Sequence, residues 1–428
     1  MLALRLGSRL ALICACTASL AGTSGVAAAA VRGVSGGAIQ HVVYIIQENR
    51  SFNNLFVGFK GARTQNYGYD TNFNKIPLHA QSIKSGWDID HSYNGFAAAW
   101  NNGAINGWNN EYACCGQPKN FAYAYAPRSE TKTYWDMAKQ YVLADENFQS
   151  HLDGSFIAHQ YAIAAYANGE VNFPSSDWSC QGGPSDVIAT LTGSRQYGPN
   201  VAVCEDYPTI GDELDGAYLP WRSYTAEPDA DGGGWNGYAS VNHIYNGPDW
   251  TADVVMPADR FATDVGNGTL AAVTWITPIG VNSDHSGNES TGGPRWVASL
   301  VNAVGNSQFW DSTVIFITWD DWGGWFDPVP PIYMDYDGLG FRVPLIAISP
   351  YAKQGYVSHV QYESSSVLRF IEDNFGLAQL AASDARAADP ASDFFDFQQT
   401  PRAFVPFTLP PPARQSRWNG FRPQVGGD

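Results

Sequence analysis

Basic residues are scarce in this 428-residue chain: 24 Lys and Arg stand against 41 Asp and Glu, a formal net charge of −17. A surface so poor in cations repels nucleic acid and anionic lipid at long range, which argues against a DNA- or RNA-binding role. Long apolar runs are also missing. The run at 10–20 is too short for a stable membrane span, and no later stretch approaches the ~20 residues that one requires. Cysteines number six, with no second CxxC and no clustered Cys/His set, so a structural zinc site is excluded. No internal repeat is present, which sets aside repeat arrays.

What is present begins with a sorting signal. Arg5 and Arg9 give a positive start, the apolar run follows, and residues 27–30 are all alanine, the n-region, h-region and small-residue pattern of an export signal at 1–30. The mature chain is expected to be soluble and secreted or periplasmic. Without Arg5 and Arg9 its count becomes 22 basic against 41 acidic residues, a net charge of −19. Cys14 and Cys16 leave with the signal. The other four cysteines allow three disulfide connectivities, of which Cys180 with Cys204 is preferred. The adjacent Cys114 and Cys115 form only a strained ring or bond elsewhere.

Four segments, 41–46, 271–276, 313–318 and 343–348, are apolar and rich in β-branched residues, as strands covered on both faces are. Helical periodicity falls at 131–141, 293–304 and 364–375, the last with Gly376 as its stop. Alternation of strand and helix predicts an α/β fold, a doubly wound and mostly parallel sheet. One catalytic domain is expected over 31–400, with insertions at about 60–130 and 170–260 over the carboxyl end of the sheet. A Pro-rich tail follows at 401–428. The abundant Trp and Tyr read first as packing.

Acidic groups fall where such a sheet binds ligands. The first strand runs into Glu48-Asn49 and the third into Asp320-Asp321, so oxygen ligands distant in sequence converge beyond the strand ends. Either cluster alone reads as a cap or turn; two at equivalent strand ends suit one divalent metal ion of unspecified identity. Ser155, in Asp153-Gly154-Ser155-Phe156, opens a helix expected to run to about Ala167. A serine there is often a cap, but the same place gathers N–H groups and the positive dipole end, suited to phosphate and to an alkoxide. His159, one turn later, is a weaker candidate. His91 and His285 share an Asp-His-Ser loop context and are the candidates for holding phosphate oxygens or assisting a leaving group. His243 and His359 carry less signal, and His359 reads as structural.

Taken in order, Glu48-Asn-Arg-Ser-Phe52, Asp90-His91-Ser92, Asp153-Gly-Ser-Phe156, Ser283-Asp-His285, Trp319-Asp-Asp-Trp-Gly-Gly324, Gly340-Phe-Arg-Val-Pro344, Ile348-Ser-Pro-Tyr-Ala352 and Gly355-Tyr-Val-Ser-His359 resemble the bacterial phosphoesterase family. That family contains phospholipases C and the respiratory-burst-inhibiting acid phosphatase. The resemblance covers roughly 40–405. It implies an alkaline-phosphatase-like fold and a covalent phosphoenzyme: Glu48, Asn49, Asp320 and Asp321 on the metal, Ser155 as nucleophile, His91 and His285 on the phosphoryl or leaving group. Pro328 stands where relatives often have His, and Asn53 replaces a frequent Asp. Ser155 occupies a position where phospholipase members commonly carry Thr, which leans towards a phosphomonoesterase of acid-phosphatase type. A phospholipase C or phosphodiesterase is the alternative. A secreted aromatic-rich binding protein with structural cation sites is the reading from another class. The expected partner is a small phosphoester or a phospholipid head group, with no nucleic acid. Oligomeric state has no signal in the sequence.

Overall fold

The computed structural model describes residues 33–111, 117–288 and 290–412; the export signal, Cys114, Cys115 and the tail beyond 412 lie outside the described residues. Eight strands form the central sheet: β1 His41–Gln47, β2 Val142–Ala144, β3 Trp221–Tyr224, β4 Val254–Val255, β5 Val273–Ile276, β6 Thr313–Trp319, β7 Leu345–Ile348 and β8 Tyr356–Ser358. Their order is β4-β3-β5-β1-β6-β7-β2-β8. Only β7 runs antiparallel to its neighbours. β1 lies inside the sheet, parallel to β5 and β6, and Val42 to Gln47 are all buried. A strand shielded on both faces has no use for polar alternation, which explains its unbroken apolar run.

Helices cover both faces. On β6, Trp319 meets Tyr134 of α1 (Arg128–Gln140) at 4.8 Å, while Phe316 meets Phe370 of α4 (Ser366–Phe375) at 5.2 Å. Positions 316 and 319 differ by an odd number, so they project to opposite faces of the strand. Two further helices, α2 (Ser155–Ala164) and α3 (Gly293–Gly305), complete the layers. The doubly wound α/β architecture is thus as expected, and α4 ends at Gly376, whose φ of 71° supplies the left-handed C-cap.

Three expectations need correction. The segment 170–260 is not wholly an insertion over the sheet, because it supplies β3 and the edge strand β4. Strands of four and two residues are too short to show periodicity against Gly- and Trp-rich flanks. Helix α2 stops at Ala164 rather than near Ala167, with Ala165 left-handed at φ 53°. The start of the Pro-rich tail is docked: Phe407 is buried in the core, and Phe404 lies 4.9 Å from Trp310. Aromatic side chains between prolines supply apolar area that an extended backbone can still bury. Cys180 and Cys204 are disulfide-bonded, as preferred.

Glu372 of α4 is buried with both carboxylate oxygens unpartnered, and its neighbours are acidic. Burial first, then Asp384 and Glu213, push its carboxyl from 4.5 up to about 10. The unfolded chain releases this proton near 4.5 and the folded chain retains it, so stability falls as pH rises from there towards 10. Glu372→Gln should therefore raise the Tm at pH 8 by several degrees and leave it nearly unchanged at pH 4. An equal Tm difference at both pH values, by calorimetry, would refute the assignment.

Candidate active site

The site follows from one register. β1 and β6 pair in parallel, with Gln47 opposite Trp319. Residues 48–49 and 320–321 therefore leave the sheet side by side at its carboxyl end. The Asn49 amide donates to Asp320 Oδ1 at 2.7 Å, and its side-chain Nδ2 to both Asp321 oxygens at 3.1 and 3.2 Å. Asn49 sits at φ 60°, a conformation Asn tolerates better than most residues. Gly323, at φ 62°, closes the arrangement: a Cβ there would stand 2.1 Å from the Asn49 carbonyl oxygen.

Ser155 is the first residue of α2, and its N-cap Gly154 offers no side-chain cap. Its hydroxyl donates to Asp321 Oδ2 at 3.2 Å. The turn before it is braced by Asp153, whose carboxylate accepts from the amides of Gly154, Tyr93 and Asn172 at 2.8, 3.1 and 2.6 Å. Gln149 joins the two loops, donating to the Asp153 carbonyl at 3.0 Å and accepting from the Trp322 amide at 3.2 Å.

One helical turn beyond Ser155, the His159 Nε2 lies 3.0 Å from Glu48 Oε1 and 3.9 Å from Asp320 Oδ2. Glu48, His159 and Asp320 each offer a ligand atom within 4.8 Å of the others. Glu48 Oε2, Asn49 Oδ1 and Asp320 Oδ2 are buried with no hydrogen-bond partner. Orphaned oxygens beside an imidazole are a donor set that fits a divalent cation. Burial, then the charge of Asp320, hold the Glu48 carboxyl well above its ordinary range, and the same two causes raise Asp321. Burial would raise Asp320 too, but His159 and hydrogen bonds to Glu48, the Asn49 amide and Ser155 bring it below normal. Burial lowers His159 to about 4, leaving the neutral imidazole that a metal requires.

Beside this group stand two histidines. His91 Nδ1 donates to the Ile89 carbonyl at 2.7 Å, and His285 Nδ1 to the Ser286 carbonyl. Each Nε2 is thereby left for other chemistry. The rings lie 5.6 Å apart at 80°, and Asp88 offers an oxygen to both. Burial would lower His91, but Asp321 and Asp88 lift it to about 9; burial, with His91 adding to it, lowers His285. Arg50 fixes the second loop, donating from Nε to the Asp284 carbonyl at 2.8 Å, while the Asp284 carboxylate accepts from Tyr134 at 2.7 Å and Trp319 at 3.1 Å. Phe173 stands 5.8 Å from His91, and Trp235 stacks on His285 at 5.8 Å.

All seven residues singled out in the sequence thus gather beyond one end of the sheet: Glu48, Asn49, Asp320 and Asp321 with Ser155, and His91 with His285 alongside. Sequence reasoning underweighted His159, whose signal was its spacing of four from Ser155. It missed Asp88 and the positioning residues Arg50, Gln149 and Asp284, which sequence alone does not separate from ordinary turn and core residues. His359 pairs with Asp145 at 2.8 Å, and His243 lies 2.9 Å from both Asp206 and Asp212, so neither joins the site.

The sequence model of the Phosphoesterase family matches residues 39–378. The chain is 27% identical to a hemolytic phospholipase C of Pseudomonas aeruginosa over 84% of this chain and 56% of that protein. It is 24% identical to phospholipase C B of Mycobacterium tuberculosis over 83% of this chain and 77% of that one. A solved structure from Vibrio parahaemolyticus, described as a protein in the alkaline phosphatase superfamily, aligns over 83% of this chain and 72% of that one. Its TM-score is 0.39 at 10% identity, too low for anything to be carried across.

Gly323→Ala should destabilise the chain by more than twice the ~1 kcal/mol that a left-handed alanine costs in open space, because the new methyl meets the Asn49 carbonyl. Gly36→Ala, at φ 61° with nothing within 4 Å, is the matched control. Equal urea midpoints for the two variants would contradict the close approach of the two loops.

Proposed function

We propose that this chain, which belongs to the phosphoesterase family, is an exported, metal-dependent phosphodiester hydrolase of phospholipase C type that attacks phosphorus with Ser155. The observation that carries this reading is the Ser155 hydroxyl at an uncapped helix N-terminus, bonded to Asp321 beside the buried Glu48, His159 and Asp320 group. Glu48, Asn49, His159, Asp320 and Asp321 would hold one divalent cation. When bound, that ion neutralises charge on the phosphoryl oxygens and lowers the pKa of the serine.

The remaining chemistry belongs to the chain's own groups. Asp321 takes the Ser155 proton as that oxygen bonds to phosphorus and returns it when the phosphoserine is cleaved, while the free N–H groups of the first turn of α2 receive the phosphoryl oxygens. His91, its ring held through Nδ1 by the Ile89 carbonyl with Asp88 alongside, gives a proton from Nε2 to the departing alcohol. Once neutral, it takes a proton from the water that cleaves the phosphoserine, so one group serves both steps. His285, neutral, steadies the phosphoryl group through Nε2.

The phospholipase C relatives move the balance away from the acid-phosphatase reading expected from Ser155. Phe173 and Trp235, both from segment 170–260, wall the two histidines with aromatic surface suited to a second ester arm. The monoesterase stands as the second reading, and the serine at position 155 is what favours it.

Ser155→Ala should lower kcat by at least about 10³-fold with unchanged circular dichroism; near-normal turnover would remove the serine from the mechanism. Elemental analysis should find that His159→Ala and Asp320→Asn each lose bound metal while Asp88→Asn retains it, and metal loss in Asp88→Asn alone would move the ion to the other group. Phosphatidylcholine should be hydrolysed faster than a phosphomonoester and chelator should abolish both activities. The reverse preference would establish the monoesterase, and no turnover of either ester would leave the binding protein.

A further inference from the structure

The connection between β6 and β7 carries Asp320 and Asp321 at its start and an unusual surface segment further on. Ile332, Tyr333 and Met334 are 40%, 48% and 49% exposed in succession, and Tyr197, two residues from the Arg195 that covers the Tyr333 ring, is 50% exposed. Three consecutive large apolar side chains facing water are costly to leave uncovered, and a contiguous patch of this kind marks a contact surface. The segment is rigidly presented. The Leu339 amide donates to the Ile332 carbonyl at 2.7 Å and the Met334 amide to the Gly338 carbonyl at 2.9 Å, closing its base. Arg195 reaches across, donating to the carbonyls of Tyr336 and Asp335 at 2.8 and 2.7 Å, with its guanidinium 3.5 Å above the Tyr333 ring.

The patch adjoins the active site through short contacts. Tyr93, whose amide binds Asp153 two residues before Ser155, packs 6.1 Å from Tyr197 and donates its hydroxyl to the Arg195 carbonyl at 3.4 Å. On the other side, Tyr161 of the nucleophile's own helix donates to Asp337 Oδ2 at 2.6 Å. A second copy of so acidic a chain would be repelled from this face, which borders the approach to Ser155. A bilayer would instead deliver substrate to that approach. Its charge must not be negative, for the same electrostatic reason.

We propose that Ile332, Tyr333, Met334 and Tyr197 form an interfacial patch that seats the chain on a zwitterionic phospholipid surface, with Arg195 at the level of the head-group phosphates. Preordered apolar and aromatic side chains enter the head-group boundary without a folding cost. The purpose of the patch rests on the phospholipase C reading, but seating is measured apart from turnover.

The test is co-sedimentation with phosphatidylcholine vesicles in the Ser155→Ala background, where lipid is not consumed. The parent should pellet with these vesicles, and Ile332→Ser with Met334→Ser should weaken binding about tenfold or more. Phosphatidylglycerol vesicles at low salt should bind no more tightly. With Ser155 restored, the double variant should turn over a soluble phosphocholine ester at the parent rate. No pelleting of the parent, equal pelleting of the double variant, or tighter binding to the anionic vesicles would overturn the proposal. So would dimerisation in sedimentation velocity that the double substitution abolishes. Vesicle binding without hydrolysis of phosphatidylcholine would sink the phospholipase C reading and leave the patch standing.

Discussion

Three carboxylates, Glu48, Asp320 and Asp321, are buried close together at the ends of two adjacent strands, and the surroundings of the site answer to that constraint. Like charges in a low-dielectric interior repel strongly, and each loses its hydration. The chain offsets part of this cost with directed donors: the Asn49 amide, the Gly323 amide at 2.6 Å from Asp321, and the Ser155 hydroxyl. The orphaned oxygens of Glu48 and Asp320 are what these donors leave over. Buried carboxylates with orphaned oxygens are a donor set that suits a cation, and the Ser155 hydroxyl lies on their border.

Holding the loops in place takes a polar framework below the site. Arg342 makes a two-pronged ion pair with Asp327 at 2.9 and 3.0 Å, and the second Asp327 oxygen also accepts the Asn53 amide at 3.1 Å. That pair ties the connection after β6 to the one after β1. Arg50 does the same for the His285 loop and lies 4.9 Å over the Trp325 ring. Buried ion pairs of this kind add little net stability, since desolvation consumes the attraction. Their value here is geometric: removing either partner leaves a charge in the core and releases a loop bearing site residues.

The long strands β1 and β6 were legible in the sequence because they are buried on both faces, and the acidic clusters at their ends were legible with them. The register that sets Gln47 opposite Trp319 is a tertiary fact, carried by no local pattern. His159 was underweighted for a related reason: a histidine on an otherwise buried helix resembles a core residue until Glu48 is seen to face it. Strands β3 and β4 escaped because their pairing partners, not their own two to four residues, define them. The turn before Ser155 is readable in the sequence, yet a hydroxyl at a helix start does not by itself distinguish one ester from another.

β1 occupies an interior position, but the segments that flank it in the finished sheet follow more than 200 positions later along the polypeptide. During synthesis at about 5–20 residues per second, Glu48 and Asn49 emerge long before Asp320 and Asp321 exist. The carboxylate cluster is consequently among the last features to assemble, and a truncated product ending before β6 would lack two of its three acidic groups.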